Sequence, residues 1–119
     1  SKSRLLDTLH RIKKAGKTIY GFGATSKATT VFNYCGIGPE LIPFVTDNTP
    51  IKVGKYYPGV HIPVVSQSVF EAGRDDPSKR IDYAFLGAWN HFQEISRSQS
   101  WYKESGGHWI THVPKPRVI

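Results

Sequence analysis

Between a short β-rich run and an amphipathic stretch lie Gly21-Phe22-Gly23-Ala24-Thr25-Ser26-Lys27. A strand that breaks into glycines and then enters a helix suits phosphate chemistry. The first glycine permits a tight turn, and the second lets backbone approach an anion. The helix start offers unpaired N–H groups and a partial positive charge, and Lys27 adds a full one. Ser26 stands where the dinucleotide fingerprint has its third glycine, so the match to that fingerprint is incomplete. Asp47 follows Gly21 by 26 positions, at the end of the next β-rich run, where a ribose-binding acid belongs. A bland reading remains open, in which the segment is a tight turn and Asp47 orders the Asn48-Thr49-Pro50 turn.

Other reactive types are scattered. Lys52, Lys55, Tyr56, Tyr57 and His61 share one loop; they suit a base and a phosphate, or simply pack the loop onto the domain. Trp89-Asn90-His91 follows another β-rich run, with Asn90 also able to cap the helix after it. His91 and Glu94 make half a metal site with no further ligand in view. His108 and His112 would stand roughly 13 Å apart on a strand, too far to share a metal. Cys35, the single cysteine, lies among apolar residues and reads as a buried thiol. The chain therefore carries binding groups but no catalytic set, and we expect no metal of its own.

These groups need a scaffold that brings them together. Leu5, Leu6, Leu9 and Ile12 recur at helical spacing, with Gly16 as the stop. Strands are expected over 18–22, 41–46, 60–65, 81–86 and 108–113, with Pro63 marking an edge and Pro114 and Pro116 ending regular structure. Thr25 or Ser26 caps a helix that carries Ala28, Val31, Phe32 and Cys35 and stops at Gly36. Ser68 and Glu71 have capping-box spacing, and one helix is expected over 91–103. Residues 48–59 form a loop longer than ordinary connections. Alternating strands and helices predict a Rossmann-like three-layer α/β/α domain over 1–119, with a mostly parallel sheet of about five strands. Ligands bind such sheets beyond the carboxyl ends of the strands, where loops 23–27, 47–59 and 87–91 converge.

The 119 residues carry a formal charge of +7. The excess lies at the ends, at +5 over 1–17 and +2 over 113–119, while 18–112 balances to zero. That distribution suits a solvated helix face and a tail rather than the basic stripe of a nucleic-acid site. No apolar run reaches the roughly 20 residues that cross a bilayer, so neither nucleic acid nor membrane is expected as a partner. Methionine is absent and Ser1 opens the chain, from which we expect a part cut from something longer.

Several blocks, in order, resemble the C-terminal domain of S-adenosylmethionine-dependent C-methyltransferases, especially those acting on nucleotide-linked deoxysugars. They are Tyr20-Gly21-Phe22-Gly23-Ala24 with Lys27, then Asp47 with Pro50, Lys52 and Gly54. Next come Pro58-Gly59 with Ile62-Pro63, then Trp89-Asn90 with Glu94-Ile95, and finally Gly106-Gly107. Ala28 stands where the family often has glycine. The resemblance implies a cytoplasmic enzyme with a zinc-binding N-terminal region and a central domain that binds S-adenosylmethionine and supplies the catalytic bases. This C-terminal part would help enclose a nucleotide-diphosphate sugar, with no cofactor of its own. Gly21, Gly23, Ala24, Ser26 and Lys27, aided by Lys52, would then meet phosphate, Asp47 a ribose or sugar hydroxyl, and Trp89 and Asn90 the crevice wall. Two alternatives stay open: a module for a free nucleotide such as NAD, and a domain that only packs against the methyltransferase domain.

Overall fold

The computed structural model describes residues 2–112 and 116–119. Helix α1 (Lys2–Lys14) leads into β1 (Ile19–Phe22), α2 (Ser26–Cys35), β2 (Val45–Asp47) and β3 (Val64–Ser66). Then come α3 (Ser68–Asp75), β4 (Tyr83–Leu86), α4 (Phe92–Ser98), α5 (Ser100–Glu104), β5 (His108–Thr111) and β6 (Arg117–Val118). The strands form one sheet in the order β3-β2-β1-β4-β5-β6, parallel except for the antiparallel β5–β6 pair. This is the doubly wound, Rossmann-like arrangement, and chain direction across the sheet reverses between β1 and β4.

Strand periodicity assigns the core to two faces. Ile19, Val45, Phe85 and Ile110 turn one way and pack with Leu5, Leu9, Val31 and Phe32 from α1 and α2. Phe22, Ala84, Leu86 and Trp109 turn the other way onto Phe70 of α3 and Tyr102 of α5. Both layers come from the same alternation, so a one-residue slip of any central strand would exchange the two cores.

Local chemistry explains where the elements differ from expectation. The sheet has six strands, not five. Arg117–Val118 continues past Pro116 because an antiparallel edge strand needs few donors, and Trp109 and Ile119 exchange both backbone hydrogen bonds, at 2.8 and 2.7 Å. The position Val113, expected to close the preceding strand, lies outside the described residues. The helix expected over 91–103 breaks: a 3-10 turn at Trp89–His91 precedes α4, and Gln99 (φ −113°, ψ 38°) separates α4 from α5. Ser96 and Ser98 bond back to the carbonyls of Gln93 and Ile95, a local competition that weakens a helix. The Gln99 side chain is held inward by Glu71 and Trp101. Ser68 does not cap α3; Gln67 precedes it, and the Gln67 amide bonds Glu71 across the first turn.

Residues 39–41 form a turn and 42–44 are irregular ahead of β2, since Leu41 and Ile42 N–H both return to the Gly38 carbonyl. The long loop is more ordered than its composition suggested. Residues 54–57 run back along 62–64, with Gly54 N–H on Val64 O, Val64 N–H on Lys55 O and Tyr57 N–H on Ile62 O. Pro63 sits at this junction, beside the edge strand β3, where its missing donor leaves no ladder bond unmade.

Candidate functional site

The carboxyl ends of β1, β2 and β4 meet at the point where the sheet reverses direction. Gly23 has φ 92°, a left-handed conformation that glycine takes without a Cβ penalty. Gly21 acts differently from the turn role read in the sequence. It lies inside β1 and is buried, and a Cβ there would stand 2.5 Å from Val45 Cγ2. Its lack of side chain lets β2 close on β1. Gly87, missed as a special position, has the closest approach in the site, because a Cβ there would fall on the Gly23 carbonyl oxygen. Thr25 fastens the two loops by donating from Oγ1 to the Gly87 carbonyl at 2.8 Å.

Thr25 also caps α2, accepting the Ala28 N–H at 3.2 Å. The N–H groups of Ser26 and Lys27 remain at the helix start without intrahelical acceptors. Ala24 is clamped at both ends. Its N–H donates to Asp47 Oδ2 at 2.6 Å, and its carbonyl accepts Lys52 Nζ at 2.7 Å. Asp47, 6% exposed, accepts the Thr49 N–H at its other oxygen, 2.8 Å away. The acid thus orders both the glycine turn and the turn after β2, and Ala24 offers its N–H to Asp47.

Two cavities flank this clamp and share Thr25 and Lys52. One, about 380 Å3, lies against the start of α2, under Lys55, Tyr56 and Tyr57 of the returning loop. Tyr56 is 64% exposed at its lip, whereas Tyr57 is 5% exposed on its floor. The Tyr57 hydroxyl is buried with no hydrogen-bond partner among the described residues. Burial, and then the Asp47 carboxylate, push its pKa well above the ordinary phenol range. The Thr25 N–H opposes this weakly, already donating to the Gly23 carbonyl at 3.1 Å. The second cavity, about 330 Å3, opens on the α3 and α4 side between Gly23, Asp47, Gln67 and Ser98.

Of the residues marked in the sequence, Ala24, Ser26 and Lys52 line the first cavity and Gly23, Asp47 and Lys52 the second. Lys27, Trp89 and Asn90 line neither. Lys27 Nζ lies 5.9 Å above the Trp89 ring, so these two pair with each other outside both linings. Trp89 is half-buried against the α1–α2 core, and Asn90 is exposed with its amide 3.4 Å from His91 Nε2. His91 and Glu94 approach only to 3.8 Å, both exposed. No group of three or more His, Cys, Asp or Glu gathers among the described residues, and no helix there is long and apolar enough to cross a membrane.

This sheet order and crevice can be set beside known proteins. The C-methyltransferase C-terminal domain family matches residues 1–114. Over 118 residues the chain is 35% identical to the C-methyltransferase NovU of Streptomyces niveus, covering 99% of this chain and 27% of that protein. The chain thus spans about a quarter of that relative's length. Family match, identity and architecture agree: the chain belongs to the C-methyltransferase C-terminal domain family.

Proposed function

We propose that this domain holds the nucleotide-diphosphate part of a sugar nucleotide for a C-methyltransferase. The observation that carries the reading is the cavity at the start of α2, where a helix N-terminus and two lysines, Lys52 and Lys55, face one space at the sheet's switch point. Phosphate oxygens there accept the Ser26 and Lys27 N–H groups, and Lys27 turns from Trp89 toward them. Gly21 and Gly23 keep the backbone close-packed beneath, and Ala24 is held in place by Asp47 and Lys52. Each Asp47 oxygen keeps a lone pair for a ribose or sugar hydroxyl. Trp89 and Asn90 form the rim.

In this reading the rest of a longer, cytoplasmic polypeptide binds S-adenosylmethionine and zinc and supplies the catalytic bases, and this domain packs against it. Charge-assisted hydrogen bonds contribute about 1.5–3 kcal/mol each. Lys27→Ala should therefore weaken binding of dTDP by roughly tenfold, while the Tm stays nearly unchanged because an exposed lysine adds little stability. Calorimetric titration alongside a thermal melt checks both. Early melting with unchanged dTDP affinity would make Lys27 structural and remove the phosphate assignment.

A further inference from the structure

The two cavities differ in chemistry as well as position. The one beside α2 adds Lys55 and a helix N-terminus to the shared Lys52. The one on the α3–α4 side has Asn48, Thr49, Gln67, Ser98 and Gln99. Among the described residues the charged groups on its wall are Asp47 and Lys52, and both are bonded to Ala24. A diphosphate placed there would face a carboxylate with no unengaged cation to offset it. Neutral amides and hydroxyls are instead matched to hydroxyl groups, since each side can both donate and accept. Ala88 and Ile95 add apolar wall for the C–H face of a ring.

The wall is also held rigid. Glu71 Oε2 accepts from the Gln67 amide at 3.2 Å and from the Gln99 amide at 3.1 Å. Gln99 Oε1 in turn accepts the Trp101 indole N–H at 2.7 Å. Gln99 is only 7% exposed and has both ends of its amide engaged. It positions the wall, whereas Gln67 keeps its carbonyl oxygen for a ligand. A preorganised set of this kind loses little entropy on binding.

We infer that the α3–α4 cavity seats the neutral, polyhydroxylated end of the ligand, so that a sugar nucleotide lies across the switch point with its sugar among Asn48, Gln67 and Ser98 and its nucleotide over α2. This placement rests on the sugar-nucleotide reading above. Two ligands differing only in the sugar test it: dTDP and dTDP-glucose, titrated into the chain by calorimetry, with the side-chain amide signals followed by NMR. The sugar should tighten binding at least threefold, and the Asn48 and Gln67 amide signals should shift with dTDP-glucose but not with dTDP. Gln67→Leu and, separately, Asn48→Ala should each reduce that increment, with dTDP affinity reporting that the variants are folded. The placement is overturned if dTDP binds and glucose adds nothing, or if the increment survives in both variants. If neither ligand binds, the sugar-nucleotide reading itself falls and takes the placement with it.

Discussion

Asp47 commits both carboxylate oxygens inside the protein, one to the Ala24 N–H and one to the Thr49 N–H. The sequence offered a ribose acid or a turn-ordering acid at this position, and the second role is visible in the geometry. Spacing alone could not separate them, because both need an acid at the end of β2. The isosteric change separates them. Asp47→Asn must turn an NH2 donor toward one of two N–H donors, so one buried pair is lost. A cost of about 1–3 kcal/mol is expected from chemical denaturation, before any ligand is added. Stability equal to the parent would show that the clamp contributes nothing. Tyr57 gives the opposite expectation. Its hydroxyl is buried without a partner among the described residues, so Tyr57→Phe removes a desolvation cost and should leave stability unchanged or raise it by up to about 1 kcal/mol. The pH dependence follows in sign. Burial raises the pKa of both Tyr57 and Tyr102 above the usual value near 10. Ionisation then favours the unfolded chain, so their stabilisation is complete below about pH 10 and is lost as pH rises above it. Melting temperatures should fall in that window, and fall less in Tyr57→Phe.

At the level of elements, the glycines carried a legible signal whose physical reasons were only partly legible. The turn from β1 to α2, a cap at Thr25 or Ser26 and the Gly36 stop could all be read, because capping chemistry is local, and Thr25 is the cap. Gly36, at φ 69°, ends α2 as expected. The roles of Gly21 and Gly87 were not readable, since each depends on which residue another strand brings opposite. The break at Gln99 was hidden for the same reason: apolar spacing over 91–103 is helical, and the partner that draws Gln99 inward is Glu71, 28 positions away. Gly87 tests this long-range requirement. An alanine there would push its Cβ into the Gly23 carbonyl and crowd Ala28 Cβ at 3.2 Å, separating the loops after β1 and β4. Overpacking of this kind costs about 1–3 kcal/mol. Gly87→Ala should lower the Tm and weaken dTDP binding together, because the same contact closes the core and shapes the crevice. Unchanged stability and affinity would mean that the two loops are not coupled there.

Across the whole molecule, charge is divided between the α1 surface and the crevice. The basic residues of α1 face solvent opposite buried Leu5, Leu9 and Ile12, so they belong to the surface and not to the site. Lys52 and Lys55 line the crevice with the positive end of α2, against one lining acid among the described residues, Asp47, that is already held by two N–H groups. Such a field favours anions. S-adenosylmethionine carries a sulfonium and an ammonium against a single carboxylate, a net cation whose reactive sulfur would meet like charge here. A nucleoside diphosphate carries the complementary sign. The proposed reading accordingly has the methyl donor bind outside this domain. The expectation is concrete: calorimetry of this chain with S-adenosylmethionine should give no binding at micromolar concentrations, while dTDP binds and loses affinity as salt rises, since screening weakens its attraction to the lysines. Micromolar binding of S-adenosylmethionine would show that local contacts in the crevice outweigh its field, and the proposed division of labour would have to be redrawn.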